Sequence, residues 1–300
     1  HGYHGHTQTG IDISEYKFNH PKGQGQKSHI LKTPIPKKYK GRYEGKNEPG
    51  VLYAKEAIEQ LNKNENSIAA FIAEPIVGCG GQVPLASGYL KTLYPEIRKK
   101  GGLCISDEVQ TGFGRLGSVF WGFELHGVIP DMVVLGKPMA NGHPMGAVVA
   151  SEEVAASFAE GVEFFSSFGG NPVSCAIGKA VLEVIDEEKL QKNALEVGKY
   201  YRSLLKELQK EDARIGDVRG EGLFLGVELI NEHEKPNTEL AQLLKNELRN
   251  RHVLISTDGP ADSVIKTKPP ILFTKSNAER VVSELRRALK LADKKRFLSD

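Results

Sequence analysis

Four short runs of apolar residues in the first half of the chain constrain its fold more than any other feature. They occupy residues 69–73, 103–106, 132–135 and 147–150, with polar or turn-forming stretches between them. An unbroken apolar run of this length is typical of a strand that is buried on both faces, as in a parallel sheet. The sequence therefore predicts an α/β fold with a mainly parallel sheet flanked by helices.

The stretches between and after these runs supply the helices. Apolar residues recur at helical spacing in 51–64, a second helix is predicted at 88–100, and residues 172–211 read as helix with few breakers. Residues 19–50 are rich in Pro, Gly and Lys and predict an extended loop. The flanking helices of an α/β domain are thus accounted for.

The pattern changes after Gly216, and we place a domain boundary near residue 215. The large domain is 1–215, and 216–300 is predicted to form a smaller C-terminal α+β domain. Its predicted elements are a strand at 223–229, a helix at 237–250, short strands at 252–256 and 264–274, and a last helix that opens with a capping box at 276–279 and carries Val282, Leu285 and Leu289 on one face.

Charge and cysteine content exclude several classes of protein. The 40 Lys and Arg residues nearly balance the 38 Asp and Glu residues, so the net charge of +2 does not call for a nucleic acid or a membrane surface as partner. No apolar run approaches the ~18 residues that cross a bilayer, and no signal peptide opens the chain. Cys79, Cys104 and Cys175 are widely spaced, which indicates reduced thiols in a cytoplasmic protein and neither a disulfide framework nor a zinc site.

Two of the predicted strands end in residues that can do chemistry. Asp107 follows the run at 103–106, and Lys137 follows the run at 132–135. In an open α/β sheet, ligands gather at the carboxyl ends of the strands, so a carboxylate and an amine are expected at one edge. The competing interpretation is that both are solvated residues at strand ends.

Three other motifs are weaker. Residues 112–117 spell G-x-G-x-x-G after a strand, but an aromatic, Gly-broken stretch follows instead of a helix, which argues against a dinucleotide site. The acidic strand end at 106–108 resembles that of a P-loop ATPase, yet no G-x-x-x-x-G-K-[ST] is present. His1, His4 and His6 have no acidic or Cys partners close in sequence, so solvation or aromatic packing is expected and no metal site is predicted.

Five motifs in order do resemble a known family. They are Tyr-His-Gly at 3–5, Ala-Glu-Pro-Ile-Val-Gly at 73–78, Asp-Glu-Val-Gln-Thr-Gly-Phe-Gly-Arg at 107–115, Gly-Lys-Pro at 136–138 with Asn-Gly at 141–142, and Phe-Gly-Gly-Asn-Pro at 168–172. Together they resemble the class III aminotransferases, which are pyridoxal-phosphate enzymes of fold type I. The resemblance covers nearly the whole chain and implies that 1–215 is the cofactor-binding domain.

The resemblance implies a role for several residues. Lys137 would hold pyridoxal 5'-phosphate as a Schiff base and act as the general base at the substrate Cα. Asp107 would keep the pyridinium nitrogen protonated, and Gln110 would hydrogen-bond the ring hydroxyl. The remaining residues implied in cofactor binding are Tyr3 and Val109 on the two ring faces, His4 from the first motif, Glu74 near the ring hydroxyl, and Ser167, whose hydroxyl would reach the cofactor phosphate of a neighbouring subunit in a homodimer.

Departures from the transaminase pattern point to one branch of the family. Ornithine- and GABA-type members have Glu where this chain has Cys79, and an Arg that clamps the substrate carboxylate where it has Lys266. A Lys cannot reproduce that bidentate clamp. With Lys268 nearby, the sequence most resembles the ethanolamine-phosphate and phosphohydroxylysine phospho-lyases, and Lys266 and Lys268 are its candidate substrate-binding cations.

Three functions therefore stay open. The first is a phospho-lyase that eliminates phosphate from a phosphorylated amine, giving an aldehyde and ammonia. The second is an ω-amine or amino-acid transaminase that uses a keto-acid acceptor. The third is an inactive fragment or a dimerisation remnant, because the chain begins at His1 without Met and the N-terminal part of the family, with its phosphate-binding turn, is expected to be absent.

Overall fold

Two four-stranded sheets and one small hairpin organise the chain in the computed structural model, which describes residues 1–296. The strands are β1 Ala70–Ala73, β2 Ile76–Val77, β3 Val83–Pro84, β4 Leu103–Asp107, β5 Met132–Leu135, β6 Ala147–Ala150, β7 Ile215–Glu221, β8 Phe224–Leu229, β9 Ser256–Asp258 and β10 Val264–Thr267. The helices are α1 Gln8–Asp12, α2 Glu15–Phe18, α3 Pro49–Lys63, α4 Tyr89–Lys99, α5 Glu152–Ala159, α6 Pro172–Glu187, α7 Leu190–Glu211, α8 Thr238–Asn250 and α9 Lys275–Arg296. Two short 3-10 helices occupy Gly122–His126 and Lys137–Ala140.

The first sheet has the strand order β1-β4-β5-β6. The pairs β1–β4 and β4–β5 are parallel, and β6 is antiparallel to β5. Helices α3 and α4 cover part of it through a core that includes Tyr53, Ala57, Tyr89 and Leu93. The predicted α/β fold with a mainly parallel sheet is confirmed, and each predicted apolar run corresponds to one of these strands. The expectation that each run is buried on both faces is wrong for β6, an antiparallel strand at the edge of the sheet whose Val148 and Val149 are 56% and 55% exposed.

The second sheet is antiparallel, in the order β7-β8-β10-β9. Its core joins Leu225 and Ile265 of the sheet to Leu244 of α8 and Leu285 of α9, and Leu205 of α7 belongs to the same core. A boundary near 215 stays a prediction, since α7 precedes that residue yet packs on this sheet. The last four residues of the predicted small domain, 297–300, lie outside the described residues.

Several predicted elements differ in their bounds. The helix predicted at 172–211 is two helices, because Lys189 adopts a left-handed conformation with φ of 52° between α6 and α7. Strand β7 was not predicted, since its sequence alternates Gly, Asp and Arg with few apolar residues. The strands predicted at 252–256 and 264–274 are β9 and β10, which are shorter or displaced.

The start of the last helix also differs from the prediction. Thr274, not Ser276, caps α9: its Oγ1 accepts from the Asn277 backbone N at 3.2 Å. The Asn277 side chain accepts in return from the Thr274 backbone N at 3.1 Å. The reciprocal bond of a capping box is therefore present, two residues earlier than the sequence indicated and with an Asn in place of Glu.

Across residues 1–296, the structure shows no helix with the length and apolar character that a bilayer crossing requires. The described part of the chain likewise contains no cluster of three or more His, Cys, Asp or Glu residues arranged to hold a metal ion.

Candidate active site

Asp107 and Lys137 leave the same edge of the first sheet. Asp107 is the last residue of β4 and lies opposite Val134 of the parallel strand β5, and Lys137 comes two residues after β5 ends. Val109, two residues after Asp107, packs beside Gly136 at the start of the second segment, since a Cβ on Gly136 would lie 3.7 Å from its methyl groups. The sheet topology therefore brings the predicted carboxylate and amine to one place, as the sequence indicated.

The Asp107 carboxylate is buried and fixed by two hydrogen bonds. His4 donates from Nδ1 to Oδ2 at 2.8 Å, and the Val109 backbone N donates to Oδ1 at 3.1 Å. His4 is itself held through its backbone N, which donates to Ser14 Oγ at 2.8 Å. The expectation that His4 is solvated or packed on an aromatic ring is wrong, because the fold carries a residue 103 positions away against it.

The other two N-terminal histidines do pack against aromatic rings. The His1 ring lies edge-on to Tyr16 and the His6 ring edge-on to Tyr3. Tyr3 donates its backbone N to Glu74 Oε1 at 3.3 Å, so the N-terminal segment lies along the same edge as Asp107. The sequence motif identified this segment, but only the tertiary contacts show what it touches.

A chain of hydrogen bonds links the two sheets through Gln110. Lys268, just after β10, donates to Gln110 Oε1 at 2.5 Å, and Gln110 Nε2 donates to Glu74 Oε2 at 3.4 Å. The same Glu74 oxygen accepts from the Gly78 backbone N at 3.0 Å. A Cβ on Gly78 would lie 2.3 Å from Gln110 Nε2, so any side chain there would displace the Gln110 amide from this position.

Burial shifts the pKa of Glu74 and of Lys268, the two ionisable residues in this series of hydrogen bonds. It raises the pKa of Glu74 to about 6, against the opposing influence of His4. It lowers the pKa of Lys268 to about 8, and the positive charges of Lys266 and Lys137 act in the same direction. The charges of Lys137 and Lys266 thus both act on the Lys268 amine.

Lys266 differs from Lys268 in its partner. Its Nζ lies 2.9 Å from Asp258 Oδ2, an oxygen that also accepts from Gln82 Nε2 at 2.9 Å. Among the described residues, Lys268 forms no ion pair with a carboxylate. Of the two predicted substrate lysines, Lys268 therefore has the less compensated charge.

Cys79 lies in the turn between β2 and β3. Its backbone carbonyl accepts from the Gly259 N at 3.2 Å, and burial together with Asp258 and Glu74 raises the pKa of its thiol to about 11. The thiol is therefore protonated and unreactive at neutral pH. Gln82, which helps to hold this turn, carried no signal in the sequence. Asp258 was noted there only within the Asp-Gly-Pro motif at 258–260, which resembles the phospho-lyase branch.

The structure does not join Ser167 to the other predicted residues. It lies in the exposed segment 161–170, where no residue is buried. An exposed position is what a residue acting on a neighbouring subunit requires, but the role itself stays a prediction.

Lys137 occupies a strained and accessible position. Its φ of 36° is in the left-handed region that a side chain disfavours, and it begins the short 3-10 helix that ends at Ala140. Its side chain is exposed, and no hydrogen bond or ion pair holds the amine within the described part of the chain. Strain held by surrounding structure at such a point is typical of a functional site.

Comparison with known proteins identifies the family. The sequence profile of Aminotransferase class-III matches residues 1–289. The chain belongs to the class III aminotransferase family. Members of this family are pyridoxal-phosphate-dependent enzymes, which confirms the predicted family and, at that level, the enzyme class and cofactor.

Among its class III aminotransferase relatives, the chain is 45% identical to "Alanine--glyoxylate aminotransferase 2-like" of Drosophila melanogaster, over 100% of this chain and 63% of the relative. It is 36% identical to "Ethanolamine-phosphate phospho-lyase homolog 1" of Caenorhabditis elegans, over 98% of this chain and 67% of the relative. A solved phospholyase from Arthrobacter in complex with phosphoethanolamine superposes with a TM-score of 0.87 at 35% identity, covering 96% of this chain and 69% of that one. The chain thus spans about two thirds of the length of these relatives.

The residues present fit pyridoxal phosphate. A buried carboxylate at Asp107 with both oxygens already oriented suits a ring nitrogen that must stay protonated, and the exposed amine of Lys137 suits attachment of an aldehyde. Val109 packs beside Gly136, from where it would press on a flat ring, and Gln110 would bond a ring hydroxyl. These individual roles stay predictions.

Proposed function

We propose that this protein is a phospho-lyase that eliminates phosphate from a phosphorylated primary amine such as phosphoethanolamine. Pyridoxal phosphate, when bound, supplies an electron-accepting ring that stabilises negative charge at the substrate Cα. Overall, the phosphorylated amine and one water give an aldehyde, ammonia and inorganic phosphate. The Cα–H and Cβ–O bonds break, and phosphate leaves with the electron pair of the Cβ–O bond. Water then hydrolyses the resulting enamine to the aldehyde and ammonia.

The gathering of three amines carries this proposal. Lys137, Lys266 and Lys268 lie close enough for the first two to help depress the pKa of Lys268, and Lys268 has no carboxylate partner among the described residues. A phosphate dianion would neutralise this surplus charge. Lys268 would bind the leaving phosphate, and the exposed amine of Lys137 would take the proton from Cα.

The comparisons support both lyase and transaminase chemistry. Relatives named for alanine–glyoxylate aminotransferase activity match at 37% to 45% identity and a relative named for phospho-lyase activity at 36%, and a solved transaminase with L-alanine superposes with a TM-score of 0.89 at 28% identity. A lysine, already paired to Asp258, stands where the carboxylate-clamping Arg is expected in transaminases. This favours the lyase, with the transaminase as the second candidate.

The test is phosphate release from phosphoethanolamine, without a keto acid, by the protein loaded with pyridoxal phosphate. Lys137→Ala should abolish release. Lys268→Met should raise KM by about tenfold or more, since a charge-assisted hydrogen bond is lost, whereas the exposed Lys91→Met should match the wild type. In the wild type, kcat/KM should fall as pH rises through about 8, where Lys268 loses its proton, and this limb should vanish in Lys268→Met.

Each alternative has its own result. Turnover only with a keto acid would establish the transaminase. No phosphate release from any phosphorylated amine would contradict the lyase, and the absence of a bound-cofactor absorption band in the wild type would leave the inactive fragment.

We also propose a homodimer with shared active sites, and a cytoplasmic location. Ser167 lies beside exposed aromatic residues, among them Phe165 at 82% and Phe168 at 84% exposure, which a second subunit would cover. The cytoplasmic proposal is supported by three free cysteines, although some relatives are described as mitochondrial.

A further inference from the structure

Glu108 is a buried carboxylate that the chemistry proposed above does not use. It lies between Asp107 and Val109, yet its side chain is fully buried. No Lys, Arg or His forms an ion pair with it in the described part of the chain. Burying a carboxylate without a cation partner costs desolvation free energy, which other interactions must offset.

Four hydrogen bonds saturate this carboxylate. Oε1 accepts from Ser106 Oγ at 3.1 Å and from the Phe123 backbone N at 2.8 Å. Oε2 accepts from Thr111 Oγ1 at 2.6 Å and from the Gly122 backbone N at 2.8 Å. Each oxygen therefore joins the turn at 106–111 to the start of the 3-10 helix Gly122–His126.

The same 3-10 helix also supports the segment that carries Glu74. His126 Nε2 donates to the Pro75 carbonyl at 3.0 Å, and burial lowers the pKa of His126 so that its ring is neutral. A side chain on Gly122 would meet Pro75 at 2.9 Å and Thr111 at 3.0 Å. The helix is thus packed without free space against both segments that line the site.

We propose that Glu108 is a positioning residue that fixes the turn carrying Asp107, Val109 and Gln110 against the 3-10 helix, and thereby holds the cofactor-facing groups in register. The effect of Glu108 on catalysis rests on the proposed function, whereas its effect on the structure of the turn does not. Groups in such a site must be held within about 0.5 Å for efficient chemistry.

Glu108→Gln is a sharp test because of how the four donors are distributed. The hydroxyls of Ser106 and Thr111 can rotate and accept from an amide NH₂. The backbone N–H groups of Gly122 and Phe123 cannot, and each faces a different oxygen. Whichever way the amide is placed, its NH₂ opposes one backbone N–H, and one buried hydrogen bond is lost.

Glu124→Gln is the matched control on the same 3-10 helix. Glu124 accepts from the backbone N of Phe120 at 3.0 Å and of Trp121 at 2.8 Å, both with the one oxygen Oε2. A Gln can keep both bonds by placing its single oxygen there. The two variants thus make the same chemical change on groups bonded to the same 3-10 helix. They differ in whether the bonds survive and in burial, since Glu108 is buried and Glu124 is exposed.

The experiment is hydrogen–deuterium exchange of the purified protein, followed by the visible absorption of added pyridoxal phosphate. Glu108→Gln should speed backbone amide exchange at 107–112 and 122–123 by about tenfold or more. It should also shift the absorption band of the bound cofactor or the pH at which that band titrates. Glu124→Gln should change neither the exchange nor the band. Should Glu108→Gln fail to fold, Thr111→Val removes one donor and should give the same changes, smaller.

The outcomes separate this proposal from the proposed function. Unchanged exchange at 107–112 in Glu108→Gln would overturn the positioning role. A uniform rise in exchange with an unchanged cofactor band would show a general stabilising role and overturn it as well. If even the wild type binds no cofactor, the proposed function fails while the exchange measurement still decides on Glu108.

Discussion

At the scale of single residues, Glu74 couples the site to pH. Its carboxyl is buried, and burial raises its pKa from 4.5 to about 6. The folded state therefore binds this proton more tightly than the unfolded state, and the resulting penalty is complete above pH ~6 and relieved as pH falls through that value. The shift corresponds to about 2 kcal/mol at neutral pH.

We therefore predict that the Glu74 contribution to the free energy of unfolding becomes more favourable by about 0.8 kcal/mol between pH ~7.5 and ~5.5. Denaturant unfolding of the wild type and Glu74→Gln at both pH values measures it, because only the wild type carries this slope. The exposed Glu65→Gln should keep the wild-type slope. A Glu74→Gln variant with the same pH slope as the wild type would show that the penalty is absent.

The sequence motifs identified most of the residues at the candidate site, but they did not identify the partners of those residues. The ordered motifs placed Asp107, Lys137, Gln110 and Glu74 in the site, and the structure brings these segments together. The partner of Asp107 could not be predicted, since nothing local relates His4 to a residue 103 positions away. Likewise, Lys266 and Lys268 are two residues apart in sequence, and only the fold pairs one with Asp258 and the other with Gln110.

At the scale of elements, α7 crosses the turn between β7 and β8 at Gly198. A Cβ at this position would lie 2.4 Å from the backbone carbonyl carbon of Gly222, which cannot move aside as a flexible side chain could. We predict that Gly198→Ala lowers the free energy of unfolding by roughly 2–3 kcal/mol.

Chemical denaturation of Gly198→Ala and of a second glycine variant checks this prediction. Gly146→Ala is the control, because a Cβ there meets its nearest atom, the Leu135 carbonyl oxygen, at an ordinary 3.4 Å. Equal losses in the two variants would mean that the α7 crossing has room to adjust.

Element boundaries depended on signals of unequal strength. The apolar runs identified β1, β4, β5 and β6 because such runs are typical of strands in a parallel sheet, although Val148 and Val149 of β6 are more than half exposed. The break at Lys189 was missed because neither Gly nor Pro marks the left-handed backbone there. Strand β7 was missed because it has few apolar residues. It is held in the sheet by its backbone pairing with β8.

At the scale of the whole molecule, the exposed aromatic segment around Ser167 leads to a prediction about assembly. We expect the protein to sediment as a dimer at micromolar concentration. We also expect Ser167→Ala to weaken binding of pyridoxal phosphate by about tenfold, the loss of a hydrogen bond to a charged phosphate, without changing the sedimentation coefficient.

Analytical ultracentrifugation measures the oligomeric state, and a titration with pyridoxal phosphate monitored by absorbance measures the cofactor affinity. Ser151→Ala is a matched control, since that serine is also exposed but caps α5. A monomer at all concentrations, or a Ser167→Ala variant that binds the cofactor like the wild type, would contradict the shared site.

The sequence by itself determined the fold class and the family of this protein, because continuous apolar runs marked the strands of the first sheet and the site motifs are contiguous and ordered. The tertiary structure alone decided which polar groups meet: His4 hydrogen-bonds to Asp107, Lys266 pairs with Asp258, and Glu108 accepts from the backbone of a helix 14 residues further along. Electrostatic and hydrogen-bond partners depend on distances in space, and these arise only when segments remote in sequence pack together.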